Sequence, residues 1–297
     1  MNDNAPLTRA ICREIEEADL DGVADLLAKG FPSYDRAVWK GVCQRLADRP
    51  WPGGFPRFGW MLESKGRVVG SIFTIFTAVP LERRVEIRCS TSSWFVEAKF
   101  RGQGFRLARQ AAKFNDVIYF NPTPGAGTRP VLDHLGFAPY CRGHFLAVAA
   151  ASPTRGSAHI CDYADYNSKG SRLSPADAAL LADHSNYGCI SLVCEAGDMA
   201  LPFVFLRRRQ YVSYAQLIYC RQPSDIIKYA GLIGRHLLKR GIPLLAIDCN
   251  GPIKGLIGHF MDNKPKFFKG QRAPRLGDLA YSELAFFGDY VSGFRAE

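Results

Sequence analysis

Two stretches of equal length, "ESKGRVVGSIF" (63–73) and "EAGDMALPFVF" (195–205), each read as strand, turn and strand, and they stand 132 residues apart. Two apolar strands that close on asparagine, "VIYFN" (117–121) and "LLAIDCN" (244–250), recur at an offset of 129. One more strand and one helix lie between the members of each pair. A supersecondary pattern that recurs at this period restricts the chain to two copies of one α/β unit, although residue identity between the copies is slight. The 297 residues, 47% of them hydrophobic, suffice for two cores.

The first copy can be followed element by element. Residues 11–15 alternate like a strand, and Leu20, Val23, Leu26 and Leu27 recur at helical spacing. A second helix is expected over 33–50, with Ser33 or Asp35 as N-cap and Pro50 beyond its end. Gly66 marks the turn of a β-hairpin, and "RRVEIRCSTSSWFVEAKF" is a further strand that leads into a helix from about Phe105 to Lys113. The strand "DVIYFN" and the helix "TRPVLDHLGF", closed by Gly136, precede strand residues at "HFLAVAA". This order predicts a mixed-sheet α/β domain over 1–150. Residues 151–173, rich in Ser, Gly, Asp and Tyr, read as a linker, and a second domain follows over 174–297. Its first helix is expected to carry Ser174 as N-cap, Pro175 at the first helical position and Asp177 completing a capping box.

Composition removes several classes of function. No apolar run approaches the roughly 20 residues of a membrane span, and the acidic N-terminus lacks a secretory h-region, so a cytoplasmic protein is expected. The nine cysteines are scattered, with no C-x-x-C and no His-rich partner spacing, which implies reduced thiols and no metal site. The net charge of +10 is spread evenly: 20 basic against 15 acidic residues in 1–150, and 18 against 13 in 151–297. With no basic tail and no nucleic-acid-reading motif, DNA is not expected as a partner, and the charge suits an anionic small molecule. "KPKFFKG" (264–270) reads as a solvated strand or loop edge.

The chemistry concentrates in "VEAKFRGQGFRLARQAA" (96–112), where Gly102 and Gly104 stand at the junction of strand and helix. Backbone N–H groups at a helix start are unpaired and carry partial positive charge, so the junction suits an anion, with Arg101, Arg106, Arg109 and Lys113 adding attraction for phosphates. The dinucleotide pattern G-x-G-x-x-G fails because no glycine follows Gly104 at the required spacing, and a P-loop fails for lack of G-K-[ST].

Arg101-Gly102-Gln103-Gly104-Phe105-Arg106 resembles the [RQ]-x-x-G-x-[GA] signature of the GNAT acyltransferases, and "VLDHLGF" (131–137) looks like the later helix of that family. The resemblance covers about residues 10–150. It implies a GNAT-like acyl-CoA N-acyltransferase fold, here as two tandem domains, and acetyl-CoA or another acyl-CoA as cosubstrate with an amine as acceptor. It further implies that the backbone from Gly102 through Gln103, Gly104 and Phe105 to Arg106 cradles the CoA pyrophosphate, and that the strand edge near Phe95, Val96 and Glu97, with Asn121 opposite, pairs with the pantetheine arm. An N–H near Phe95 or Val96 would then polarise the thioester carbonyl. The second half carries "RQPSDII" in place of a Gly-x-Gly turn and is expected to shape the acceptor cleft as a degenerate copy.

Two positions depart from the family pattern. Arg106 replaces the last small residue of the signature, and Leu132 stands where many members place a tyrosine that protonates the departing thiolate. Tyr119 and Tyr140 are the substitutes for that acid, and each also reads as a packed aromatic. Glu86 and Glu97 are the candidate general bases, a role that period-two alternation does not assign to either, and His134 reads as a surface histidine. Two other classes of function fit the same residues. One is a non-catalytic acyl-CoA-binding or interaction module. The other is a tandem-domain aminoacyl-tRNA-dependent transferase, which suits the charge and leaves the Arg101–Gly104 turn unexplained.

Overall fold

The computed structural model describes residues 9–80, 84–153, 157–166, 172–209 and 211–287. The chain forms two units, each with its own seven-stranded mixed sheet. The first comprises the chain up to Asn121 with Gly125–Ala138 and Phe268–Arg272; the second comprises Pro122–Pro124, Pro139–Phe267 and the chain from Ala273 on.

The first unit opens with β1 (Ile11–Glu14) and α1 (Leu20–Gly30), which buries Val23, Ala24, Leu26 and Leu27 as its spacing predicts. In α2 (Arg36–Asp48) the N-cap is Asp35, whose carboxylate accepts from Val38 N at 2.9 Å. The hairpin of β2 (Gly59–Ser64) and β3 (Arg67–Pro80) turns on Lys65 and Gly66, both at positive φ, which matches the right-handed twist of the strands. β4 (Val85–Val96), α3 (Gly104–Ala111), β5 (Val117–Asn121), α4 (Arg129–His134) and β6 (Ala138–Cys141) follow. Gly136, at φ 80°, ends α4 with Phe137 N donating to Leu132 O, the αL closure expected of it.

The second unit repeats this series: β7 (Gly143–Ala147), then β8 (Ala158–Asp162), α5 (Pro175–Asn186), β9 (Ile190–Ala196), β10 (Met199–Arg209), β11 (Ser213–Cys220), α6 (Pro223–Lys228), α7 (Ala230–Leu238), β12 (Leu244–Cys249) and β13 (Gly258–Met261). β14 (Lys266–Lys269) and α8 (Glu283–Phe287) end the described chain. The hairpin pairs Ser64↔Arg67 and Ala196↔Met199 stand at the offset of 132 read from the sequence. One core joins Phe203, Phe205, Leu217, Leu245 and Ile247 to Ile233 and Leu237 of α7. Another, in the first unit, joins Trp60, Leu62, Ile72 and Val96 to Leu107 and Ala111 of α3.

The sheet orders are β1-β2-β3-β4-β5-β14-β6 and β8-β9-β10-β11-β12-β7-β13. The slot between fifth and last strand is therefore filled in each sheet by a strand from the other half of the chain. This crossing corrects three expectations. The division near residue 150 moves back to about 138, because β7 completes the second sheet. The 151–173 stretch holds β8, an edge strand of that sheet, while 154–156 and 167–171 lie outside the described residues. "KPKFFKG" is an interior strand with Lys266 and Phe267 buried, not a solvated edge. At α5, Ser174 caps as expected, accepting from Asp177 N at 3.1 Å, but the Asp177 carboxylate is held by Ser174 Oγ and Arg221 in place of the capping-box amide. No helix among the described residues is long and apolar enough to cross a membrane.

Candidate functional site

The middle of the first sheet opens where two irregularities coincide. β4 pairs with β3 as Phe73↔Ser92 and then Ser71↔Phe95, so Ser93 and Trp94 stand against Ile72 alone. Two residues against one make a β-bulge, and Ser93 sits in the left-handed region at φ 50°. On its other side β4 runs parallel to β5 only from Ile87↔Val117 to Ser90↔Phe120. Past that point the two strands part, and a splayed edge is left.

Polar groups collect at the splay. Asn121, the last residue of β5, donates through Nδ2 to Thr91 Oγ1 at 3.1 Å and to Thr91 O at 3.4 Å, while its buried Oδ1 has no hydrogen-bond partner. Ser92 and Ser93 place their hydroxyls 3.1 Å apart. Glu97 N donates to Val69 O at 2.9 Å, so the backbone of Glu97 faces β3. Adjacent residues in an extended strand present their backbone groups to opposite sides, which turns the Val96 N–H toward the opening. The Phe95 ring faces the other way, against α1: a Cβ on Gly30 would come 2.3 Å from Phe95 Cγ.

The Arg101–Arg106 stretch is wound more tightly than a bare turn. Residues Ala98–Gln103 form a 3-10 turn that runs directly into α3, with Phe100 N donating to Glu97 O and Gly104 N to Arg101 O. Gln103 ties the turn to β1 by accepting from Ala10 N at 3.2 Å. Neither glycine has positive φ. A Cβ on Gly102 would meet nothing within 4 Å, and one on Gly104 would make ordinary contacts with Trp94 at 3.4 Å and Val96 at 3.6 Å. The fold itself therefore has no need of a bare backbone at 102. Among the described residues no carboxylate pairs with Arg101, Arg106 or Arg109, so the start of α3 carries uncompensated positive charge. Phe105, 40% exposed, meets His134 of α4 edge-on at 5.4 Å.

The acid and base candidates are placed elsewhere or already engaged. Glu86 lies near the start of β4, five residues or about 16 Å of strand from Thr91, and bonds Arg88 at 2.8 Å and Arg272 at 2.6 Å. Burial pushes its carboxyl up, and the two guanidiniums outweigh that and hold it below the ordinary value. Glu97 receives two bonds from Arg67, at 2.6 and 2.8 Å, which hold its carboxyl low as well. A base for an ammonium needs the opposite shift. Tyr119 is fully buried, its Oη accepting from Phe114 N at 3.0 Å, and burial raises its pKa, so it packs the core and reaches no thiolate. Tyr140 is half-buried on β6, the last strand of the first sheet and away from the β4–β5 splay, and its carbonyl accepts from Asn250 Nδ2 at 3.2 Å. Leu132 is buried under α4.

Thr91, Ser92 and Ser93 were not singled out by sequence reasoning. Their signal is the run of small polar residues "STSS" inside a strand whose neighbours are apolar. Among the described residues no cluster of three or more His, Cys, Asp or Glu side chains forms a metal site.

No family model and no curated protein matches the sequence. Solved structures do match the fold. A Pyrococcus horikoshii protein assigned as an acetyltransferase superposes with a TM-score of 0.55 at 12% identity, over 97% of this chain and 99% of its own. A GCN5-related N-acetyltransferase of Kribbella flavida gives 0.53 at 14%, over 90% and 72%, and one of Anabaena variabilis gives 0.56 at 9%, over 88% and 72%. At these identities the likeness is one of fold, and the fold this chain shares is that of the GNAT N-acetyltransferases.

Proposed function

We propose that the first unit is an N-acyltransferase that takes an acetyl or longer acyl group from coenzyme A and passes it to an amine. The observation that carries this reading is the coincidence of the β4–β5 splay with the uncompensated basic turn at Arg101–Arg106. The pantetheine arm would lie along the β4 edge past Ser90, its amides met by backbone groups and by the partnerless Asn121 Oδ1. The pyrophosphate would lie against the start of α3, where Gly102 leaves room, and Arg101 and Arg106 would supply the counter-charge.

In the transfer, the amine nitrogen attacks the thioester carbonyl carbon, the C–N bond forms and the C–S bond breaks. The Val96 N–H would stabilise charge on the carbonyl oxygen. The sulfur leaves as thiolate: its reference pKa near 8.5 lets it depart without an acid such as the tyrosine that Leu132 replaces. With Glu86 and Glu97 ion-paired, the proton lost by the amine goes to water. The engagement of both carboxylates favours one second reading, donor binding without turnover.

The test is calorimetric titration with CoA, acetyl-CoA and longer acyl-CoAs, followed by an amine screen for release of free thiol. Donor binding with thiol release supports the transferase, and binding without release supports the second reading. No binding to any of them rejects both.

A further inference from the structure

The second sheet contains its own copy of the splay, and the chain fills it. β11 runs parallel to β12 from Tyr214↔Leu244 to Gln216↔Ala246 and then continues alone for four residues, Leu217–Cys220. β10 covers one side of that extension. The other side, the counterpart of the β4 edge past Ser90, is taken by residues 275–279. Cys220 N donates to Gly277 O at 3.0 Å, Leu279 N donates to Ile218 O at 2.8 Å, and Tyr219 and Asp278 form an antiparallel bridge.

The segment is anchored at both ends. Arg275 Nη2 donates to Cys220 O at 2.7 Å, and its guanidinium stands 5.7 Å from the Tyr219 ring. Tyr281 N donates to His184 Nε2 at 3.1 Å, and Tyr281 Oη donates to Asp183 at 2.7 Å. Gly277, at φ 77°, lets the backbone pass so closely over Cys220 that a Cβ would come 2.9 Å from its Sγ. The helix that follows β11 is closed as well: Pro223 has no N–H to offer, and the Asp225 carboxylate accepts from Gln222 N at 3.1 Å. A protein carboxylate thus stands where the first unit carries free arginines.

We propose that residues 275–279 are a built-in occupant of the second splay, an intramolecular strand that takes the β11 edge an acyl donor's extended arm would need, so that the chain binds one acyl-CoA, in its first unit alone. This rests on the acyl-CoA reading of the first unit. Strand addition to a splayed edge satisfies the same backbone groups whether the added segment comes from the chain or from a ligand, and a covalently tethered segment at high effective concentration wins.

Two measurements on the full chain test it. Titration with CoA should give one site, abolished by Gly104→Asp; two sites, or one that survives Gly104→Asp, would overturn the proposal. Gly277→Val should dislodge the strap: amide exchange at Cys220 and Leu279 should quicken at least about tenfold and Cys220 should react with a thiol reagent, while exchange at Glu97 stays as it was. Should Gly277→Val not fold, Arg275→Ala removes the anchor on Cys220 O without steric conflict and is expected to act in the same direction. Unchanged protection of Cys220 and Leu279 in the folded variant would reject the strap. Absence of any CoA binding would reject the donor reading instead, and the exchange measurement would still decide whether the edge is self-filled.

Discussion

Asn121 Nδ2 lies 3.1 Å from Thr91 Oγ1, one residue past the last parallel pair of β4 and β5. This bond crosses the gap at the point where the strands part and leaves the amide oxygen of Asn121 buried without a partner. A buried acceptor left unmade costs free energy, so a ligand that donates to it gains by binding. Asn121→Ala is therefore expected to weaken CoA binding about tenfold, roughly 1.4 kcal/mol. Thr91→Val, which removes only the hydroxyl that orients the amide, should weaken it less and lower stability by about 1 kcal/mol. Titration calorimetry with denaturant unfolding separates the two effects, and equal affinities in all three proteins would remove Asn121 from the donor site.

Gly104 gives a second, sharper test because room and charge can be varied separately. Its Cβ would touch Trp94 and Val96 at ordinary contact distances, and its φ is helical, so Gly104→Ala should fold and hold stability within about 1 kcal/mol of the parent. Gly104→Asp adds a carboxylate beside Trp94 and Val96 at the start of α3, where its charge would oppose a bound anion. At 100 times its Kd a ligand adds roughly 2.7 kcal/mol, and this rise in thermal midpoint should vanish in Gly104→Asp alone.

Much of this was legible in the sequence because local chemistry carried it. The Gly66 turn, the Asp35 cap and Gly136 after α4 rest on residues within one or two turns of chain, and the offset of 132 shows because one such local hairpin pattern occurs twice. What was not legible is pairing over long separations. Nothing local in "KFFK" tells that it will lie between β5 and β6 and so be buried on both faces, and nothing in "GHFLA" tells that it leaves the first sheet for the second. The same holds in the site: the Asn at the end of β5 could be read as a site residue, but Thr91, 30 residues earlier, becomes its partner only through the β4–β5 register. Glu97 read as a possible base for want of sight of Arg67 across the sheet.

That ion pair bears on the base. The Arg67 guanidinium holds Glu97 ionised and occupied, so Glu97→Gln should leave kcat/KM within about threefold of the parent, the pair being half exposed and of modest worth. A loss of a hundredfold or more, with a pH profile that loses its acid limb, would return Glu97 to the role of general base.

His184 should make the second unit sensitive to acid. It is fully buried, with Nδ1 against Leu180 O at 2.8 Å and Nε2 accepting from Tyr281 N. Burial lowers its pKa to about 4. Because the folded state favours the neutral ring, its contribution is complete above the unfolded value near 6.5, declines as pH falls toward 4 and is gone below that. The loss amounts to about 3 kcal/mol across that window. Urea unfolding at pH 7 and pH 4.5 should show the parent losing more stability than His184→Gln, which keeps a side-chain acceptor and does not titrate. Equal losses would mean that other groups govern the acid response.

The crossing of β7 and β14 makes the strongest claim about how the chain folds. β7 pairs with both β12 and β13 and buries Phe145 and Ala147 in a cluster with Cys249, yet it precedes residue 150. β14 brings Phe267 to the slot between β5 and β6, yet it follows residue 260. Fragments 1–150 and 151–297 would each lack the strand that closes their own sheet and retain one that belongs to the other. Loss of a buried phenylalanine alone costs about 3–5 kcal/mol, a large part of the 5–15 kcal/mol that holds a domain folded. Each fragment expressed alone should therefore show no cooperative thermal transition, and mixing the two should restore one near that of the intact chain. A cooperative melt in either fragment by itself would mean that its sheet closes without the exchanged strand.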